Sequence, residues 1–185
     1  MGIKPTMHRV QLRVFQSDAS SKGQWALMVP RHPSEDARRF MVRLLLFALY
    51  AREGLTFTRG LCVHQEPELW ELAPHGRPRL WIEMGTPDIK KVKAASLGCH
   101  EVVVAGYATQ AFTRWWRHHE KRLSTFKNLT VLHLPLTPSD ALIAMVTRSI
   151  SLEVTLKEGA LHFTAGEGTL EVTLACWLGA PPYLA

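Results

Sequence analysis

Apolar and polar residues follow one another along the chain in patterns that predict strands and helices in a definite order. Residues 6–15 alternate, which is typical of a strand with one buried face, and residues 24–30 return as a second strand. The spacing over 35–52 predicts a long helix, with Ser34 as its N-cap and Gly54 as its stop. We therefore expect the chain to begin with a β-hairpin and a helix.

The middle of the chain predicts strands that alternate with helices. The predicted strands are 55–61, 67–73, 79–84, 101–107 and 129–134, and the predicted helices are 87–97, 108–124 and 138–148. Residues 80–82 are apolar on both faces of their strand, as in a strand that is covered on both sides. Since a helix, a strand and another helix in succession are typical of a crossover unit, we expect an α/β architecture with a central mixed sheet flanked by helices.

The C-terminal part of the chain is rich in predicted strands. They cover 150–157, 160–164 and 169–174 and are separated by short turns. We expect them to join the N-terminal hairpin in an additional small antiparallel sheet. The tail 175–185 is apolar and has no periodicity. It either docks on the rest of the protein or is disordered, and the sequence leaves both alternatives open. The length of 185 residues predicts a single domain over 1–185.

The cysteines and the hydropathy argue against several classes of protein. Cys62, Cys99 and Cys176 lie far apart in sequence and form no CxxC pair, so we expect neither a zinc knuckle nor a disulfide framework. The sequence contains no apolar stretch of the length that a signal peptide or a membrane span needs. We therefore expect a cytoplasmic monomer that does not associate with membranes.

The charge of the chain favours a polyanionic partner. The formal net charge is +6, which we take as support for nucleic acid. Within the predicted helix 108–124, Arg114 and Arg117 interleave with Trp115 and Trp116. Two interpretations stay open here. The cations grip phosphates while the rings stack on bases, or the helix is amphipathic and its tryptophans face the core.

Two acids stand in otherwise apolar surroundings. Glu68 lies within EPELW, and Glu83 ends an apolar strand. An ionised carboxylate in such a place needs a cation or several hydrogen-bond donors, because burying it unpaired costs on the order of several kcal/mol. Lys90 and Lys91 follow about one turn into the next predicted helix, so either ammonium can reach back to the strand end. Two acids and a lysine suit Mg²⁺ or Mn²⁺ and a phosphodiester, whereas salt-bridged structural acids are the alternative.

Several separate segments resemble the bacterial YaeQ family in their order and spacing. The segments are RHPSED (31–36), MVRLLLFAL (41–49), LTFTRGL (55–61), EPELW (66–70), LWIEMGTPD (80–88) and RWWRHHEKRL (114–123). The resemblance spans most of residues 3–174. It implies a fold similar to the restriction-endonuclease-like, or PD-(D/E)XK, nucleases, with a nuclease-like core over about 31–134 and accessory β-structure at 3–30 and 149–174. It implies no settled activity, because the family is largely uncharacterised.

Carried over residue by residue, the resemblance assigns roles to individual side chains. Glu68 matches the first carboxylate of the nuclease pattern, Glu83 matches the second, and Glu35 matches an additional acid of some of these enzymes. Gly85 stands where the pattern has its strand lysine, so Lys90, or its rival Lys91, would replace that lysine from the following helix.

Two functions follow as expectations from these residues. The first is a metal-dependent phosphodiester hydrolase that acts on nucleic acid, with Glu68 and Glu83 as ligands of Mg²⁺ or Mn²⁺. In it, Lys91, Arg114 and Arg117 would contact phosphates. The second is a non-catalytic module that keeps the nuclease fold and binds nucleic acid or a protein. Gly85 in place of lysine is the sequence argument for this second function.

Overall fold

The computed structural model describes residues 4–16, 21–59, 63 and 65–181. Its elements in chain order are β1 (Thr6–Phe15), β2 (Ser21–Arg31), α1 (Ala37–Tyr50), β3 (Leu55–Phe57), β4 (Leu69–Leu72), β5 (Pro78–Met84), α2 (Ile89–Gly98), β6 (Glu101–Gly106), α3 (Thr109–Leu123), β7 (Leu129–His133), α4 (Asp140–Met145), β8 (Ser149–Lys157), β9 (Ala160–Ala165), β10 (Gly168–Thr173) and β11 (Ala175–Leu178). The chain forms two compact units, Met1–Tyr50 with Leu136–Leu174 and Ala51–Pro135 with Ala175–Ala185. We call them unit 1 and unit 2.

Unit 1 contains a five-stranded sheet in the order β10-β9-β8-β1-β2, together with α1 and α4. The prediction that the N-terminal hairpin and the C-terminal strands share a sheet is confirmed. The prediction that this sheet is antiparallel was wrong, because β1 and β8 pair in parallel and make the sheet mixed. These two strands are far apart in sequence, so no tight turn forces them to run in opposite directions.

Helix α1 lies in unit 1. All residues from Phe40 to Tyr50 are buried, so the helix is covered on all sides rather than along one stripe. Ser34 was the wrong N-cap. The carboxylate of Asp36 accepts the backbone N–H of Arg39 at 2.7 Å, which begins the helix two residues later than predicted.

Unit 2 contains a six-stranded sheet in the order β11-β7-β6-β5-β4-β3. The three middle strands β5, β6 and β7 are parallel, and antiparallel strands flank them at both edges. The prediction of a central mixed sheet within an α/β architecture is therefore confirmed. Helices α2 and α3 connect the parallel strands and pack on the sheet face that presents Val102, Val104 and Val131. The same face carries Trp81 and Glu83, because Trp81 pairs with Val102 and Glu83 with Val104.

The C-terminal tail has a defined place in unit 2. Residues 175–178 form β11 and pair with β7, which is the docked alternative of the two that the sequence left open. The tail beyond residue 181 lies outside the described residues, as do Cys62 and part of the predicted strand 55–61. Within the described part of the chain, no helix has the length and apolar character needed to cross a membrane.

Candidate functional site

The structure brings Glu68 and Glu83 together at one end of the unit 2 sheet. Glu83 is the penultimate residue of β5, and Glu68 comes immediately before β4. The backbone N–H of Glu68 donates to the carbonyl of Ile82 at 2.8 Å, which places Glu68 beside Glu83 on the neighbouring strand. Both side chains are buried, with relative exposures of 8% and 4%. Two acids that are fifteen positions apart in sequence (83 − 68) thus become neighbours through β-pairing.

Glu83 is held by two donors from its own side of the sheet. The indole N–H of Trp81 donates to Glu83 Oε1 at 2.8 Å, and Lys91 Nζ lies 2.7 Å from the same oxygen. Burial raises the pKa of the Glu83 carboxyl above its ordinary value. The Lys91 ammonium and the Trp81 N–H act in the opposite direction, and the nearby charge of Glu68 raises this pKa further. The net effect is a carboxyl that ionises less readily than an exposed one.

Lys91 rather than Lys90 reaches the acids. Besides its ion pair with Glu83, Lys91 Nζ donates to the backbone carbonyl of Glu66 at 2.8 Å, so its position is set by two contacts. Lys90 is exposed on α2. Successive residues of a helix point about 100° apart, so one of the two lysines faces the strand and the other faces away.

The turn between β5 and α2 explains why the lysine comes from the helix. Gly85 has φ +77°, in the left-handed region that glycine adopts without strain, and its N–H bonds the carbonyl of Ala105. A lysine at this position would be strained and would lie outside the strand. Thr86 is suited by residue type to cap α2, but Asp88 is the N-cap. Its carboxylate accepts the backbone N–H of Lys90 at 2.7 Å. The turn thereby sets the start of α2 so that its first turn presents Lys91 to Glu83.

An open groove of about 720 Å³ adjoins Glu83 and Lys91. It lies between β5 and α2 and is lined by residues of unit 2 alone. The lining residues are Gln65, Pro78, Trp81, Glu83, Met84, Thr86, Pro87, Asp88, Lys90, Lys91, Ala94, Ala95, Gly98 and Cys99. Glu83 and Lys91 therefore face a space that a ligand can enter.

The donor set of the site suits a hard divalent cation. Among the described residues, no group of three or more histidine, cysteine, aspartate or glutamate side chains is arranged to hold a metal ion. The described residues therefore offer no ligand set for a tetrahedral zinc centre. Mg²⁺ is commonly bound through one or two carboxylates, with water and substrate phosphates completing its coordination. Glu68 and Glu83 match that requirement, and a cation between them would favour the ionised form of Glu83, whose pKa is raised by burial and, to a smaller extent, by the charge of Glu68.

Glu35 lies in unit 1 within a cluster of arginines. Its buried carboxylate lies 2.6 Å from Arg39 Nη1 and 3.0 Å from Arg43 Nε. Its backbone carbonyl accepts two hydrogen bonds from Arg31. These contacts favour a structural role at the start of α1. Arg39 follows Glu35 by four positions, and this spacing was the sequence signal for the ion pair.

Helix α3 is amphipathic, as one of the two interpretations proposed. Trp115 Nε1 donates to the carbonyl of Pro87 at 3.0 Å, and its ring stacks on Phe112 at a centroid distance of 5.4 Å. Trp116 packs against Trp177 of β11. Both tryptophans are partly buried and pack against the core of unit 2, which matches the amphipathic interpretation. The basic residues of the helix face solvent, Arg114 and Arg117 among them.

Sequence reasoning missed two parts of this region. Trp81 donates to Glu83, and the two-residue spacing on a strand could have revealed this, because such residues share a face. The second part is an aromatic cluster in which Trp177 stacks on Phe112 at 5.0 Å and contacts the ring of buried His133. Burial lowers the pKa of His133. The position of Trp177 depends on β11, which has no periodic signal in the sequence.

The fold and the site define an α/β protein with a mixed sheet, in which two buried carboxylates lie together at one end of the sheet and one of them, paired with a lysine, adjoins an open groove. The chain belongs to the YaeQ family. The family model described as YaeQ protein matches residues 1–174, which confirms the family resemblance seen in the sequence.

Relatives and solved structures agree over nearly the whole chain. The chain is 34% identical over 177 residues to the Uncharacterized protein YaeQ of Escherichia coli (strain K12), covering 96% of this chain and 98% of that protein. The Salmonella typhi protein of the same name has the same identity and coverage. The crystal structure of YaeQ protein from Xanthomonas axonopodis pv. citri has a TM-score of 0.89 at 35% identity, covering 95% of this chain and 99% of that one. The crystal structure of YaeQ protein from Pseudomonas syringae has a TM-score of 0.83 at 28% identity, covering 95% of this chain and 97% of that one.

Proposed function

We propose that unit 2 carries a metal-dependent phosphodiester hydrolase site that acts on nucleic acid, built on a restriction-endonuclease-like core. One observation carries the proposal. Two buried carboxylates, Glu68 and Glu83, lie on neighbouring strands at one end of the unit 2 sheet, with the ammonium of Lys91 on Glu83 and an open groove beside Glu83. Buried acids with a perturbed pKa in a cleft are typical of functional sites.

Each side chain has a role in this proposal. Glu68 and Glu83 would hold Mg²⁺ or Mn²⁺, and Lys91 would stabilise the negative charge that grows on phosphorus. When bound, the metal supplies an activated water and neutralises phosphate charge. Trp81 keeps Glu83 oriented by donating to Oε1. Trp81 and Lys91 both contact Oε1 of Glu83, so these two contacts fix the orientation of the carboxylate in the groove.

The cost of this arrangement to the fold supports a functional role. Glu83 is buried beside a second acid, and its pKa is raised although Lys91 is paired with it. A purely structural carboxylate is usually stabilised by its partners, which lowers its pKa. An apolar or amide side chain in the same place would avoid the repulsion from Glu68. Retaining two acids here is useful if a cation is to be bound.

Exposed cations of α3 provide sites for further phosphates. Trp115 ties α3 to the carbonyl of Pro87, which lines the groove. Arg114 and Arg117 are exposed on this helix, and we assign them to contacts with the phosphate backbone. Glu35 lies in unit 1 with two arginine partners, so its part as a third acid stays a prediction.

The test is hydrolysis of labelled DNA and RNA, single-stranded and duplex, in Mg²⁺ or Mn²⁺. Substituting Glu83→Gln should lower the rate by about 100-fold or more, since a metal ligand matters at least as much as its supporting shell. Glu71→Gln is the matched control, because Glu71 is a partly buried acid of the same sheet that pairs with Arg52. Absence of hydrolysis on all substrates, together with metal binding that Glu83→Gln does not change, would discard the proposal.

A second function is favoured by Gly85 and by the ion pair of Lys91 with Glu83. In this alternative the chain keeps the fold and binds nucleic acid without cleaving it, and Lys91 neutralises Glu83 permanently. Titration calorimetry with Mn²⁺ separates the two functions. A protein that binds labelled nucleic acid but takes up no Mn²⁺ at Glu68 and Glu83 is the non-catalytic module.

A further inference from the structure

The groove of unit 2 has two chemically different parts. Its charged part contains Glu83 and the two lysines at the start of α2. Its other part is formed by apolar or small residues at the start of β5 and along α2 to its C-cap, namely Pro78, Ala94, Ala95, Gly98 and Cys99. The proposed hydrolysis uses the charged part and leaves the apolar part without a role.

Small residues on one face of α2 create the apolar part. Lys91, Ala95 and Gly98 follow one another at spacings of four and three residues, so they lie on the same side of the helix. A Cβ added at Gly98 would meet nothing within 4 Å. Larger side chains at these positions would fill the space between α2 and β5. The helix therefore leaves room for a flat apolar group directly behind the lysine.

Trp81 separates the two parts of the groove. Its indole N–H is bonded to Glu83, and its ring lies 6.0 Å from Lys91 Nζ and in edge contact with Trp70. These contacts hold the ring in one orientation. A ring held in this way offers a surface against which a planar ligand can pack, at a low cost in side-chain entropy.

We propose that the apolar part of the groove takes one unpaired base of a single-stranded nucleic acid whose adjoining phosphate lies at Lys91. This inference rests on the proposed function, and it specifies the class of substrate. The groove volume lies within the range of small-ligand sites. A base inside a duplex exposes only its edges, so it fills such a groove only after leaving the stack, whereas a base of a single strand is already free to enter.

Binding of a labelled oligothymidylate, followed by fluorescence anisotropy without divalent metal, tests this inference. Ala94→Trp fills the apolar part and should weaken binding of the single strand by about tenfold or more, the equivalent of losing one base stack. Leu97→Trp is the matched control, since Leu97 is an exposed residue of the same helix outside the groove. It should leave the affinity unchanged, and both variants should bind a duplex of the same sequence like the wild type.

A second measurement uses the unmodified chain, in case the tryptophan variant does not fold. Cys99 lines the groove, whereas Cys176 lies in β11 away from its lining, and burial raises the pKa of both thiols. Saturating oligothymidylate should slow alkylation of Cys99 at alkaline pH by about tenfold. Alkylation of Cys176 should proceed at the same rate with and without the oligonucleotide.

The outcomes separate this inference from the proposed function. Equal binding of the single strand by Ala94→Trp and the wild type, or unprotected Cys99, overturns the base site even if Glu83-dependent hydrolysis is found. If Ala94→Trp loses single-strand binding and the wild type shows no hydrolysis in Mg²⁺, the catalytic proposal is overturned. The groove then remains a nucleic-acid binding site.

Discussion

The ammonium of Lys91 lies 2.7 Å from Glu83 Oε1, across the groove between the first turn of α2 and the end of β5. Lys91 is about one-quarter exposed, while the Glu83 side chain is almost completely buried. The lysine is therefore the more accessible member of the pair, while Glu83 is reached from the groove that it lines. This difference allows a divalent cation to displace the Lys91 ammonium from Glu83.

Removing Lys91 should destabilise the protein in a pH-dependent way. We expect Lys91→Met to lower the free energy of unfolding by about 1–3 kcal/mol at pH 8, because Glu83 then remains buried beside Glu68 without its cation. Chemical denaturation at several pH values measures this effect. Lys90→Met is the control, since Lys90 is exposed, and its effect should stay within about 0.5 kcal/mol.

The sign of the pH dependence follows from the raised pKa of Glu83. The folded protein holds this proton more tightly than the unfolded chain, so stability falls as the pH rises from about 4.3 through the raised pKa. Loss of Lys91 raises that pKa further. The stability difference between the wild type and Lys91→Met should therefore be largest at alkaline pH and vanish below about pH 4. A difference that is constant across this range would contradict the assigned ion pair.

Metal binding should release protons. A cation at Glu68 and Glu83 requires both carboxyls to be ionised, and burial raises the pKa of Glu83 above its ordinary value. The affinity for Mn²⁺ should accordingly increase as the pH rises through the raised pKa of Glu83. Titration calorimetry in two buffers with different ionisation enthalpies measures the number of protons released. In Glu83→Gln, the release and most of the affinity should be lost together.

The exposed arginines of α3 should contribute to binding through their charge alone. In the double variant Arg114→Ala/Arg117→Ala, nucleic-acid affinity should fall, and the slope of its logarithm against the logarithm of salt concentration should become shallower by about 1.5. Arg9→Ala/Lys157→Ala removes the same charge from exposed positions of unit 1 and serves as the control. Equal effects of the two double variants would mean that net charge, rather than α3, accounts for binding.

The packing beneath α3 should depend on a glycine. A Cβ at Gly106 would lie 2.0 Å from the ring of Phe112, which is fully buried in the core of unit 2. Gly106→Ala should therefore destabilise the protein by about 1–3 kcal/mol through forced displacement of that ring. Gly98→Ala, where nothing lies within 4 Å, should be neutral or stabilise α2 by up to about 1 kcal/mol. Thermal unfolding followed by circular dichroism compares the two variants.

Local patterns predicted most of the elements and the two principal acids. Alternation over 6–15 and the apolar run at 101–106 correspond to observed strands, since burial of side chains at period two is a local property of the sequence. Helix caps were less predictable. Ser34 and Thr86 are suitable caps by type, but Asp36 and Asp88 take these positions, because the surrounding turns decide which side chain meets the free N–H groups.

The sequence by itself determined that the chain forms an α/β protein of the YaeQ family and that Glu83 ends an apolar strand, because these properties follow from residue type and spacing. Only the tertiary structure decided that Glu68 adjoins Glu83, that Lys91 rather than Lys90 completes the site, and that β1 pairs in parallel with β8. Each of these depends on which strands pair and on how α2 is rotated about its axis. Contacts between segments far apart along the chain set both of these.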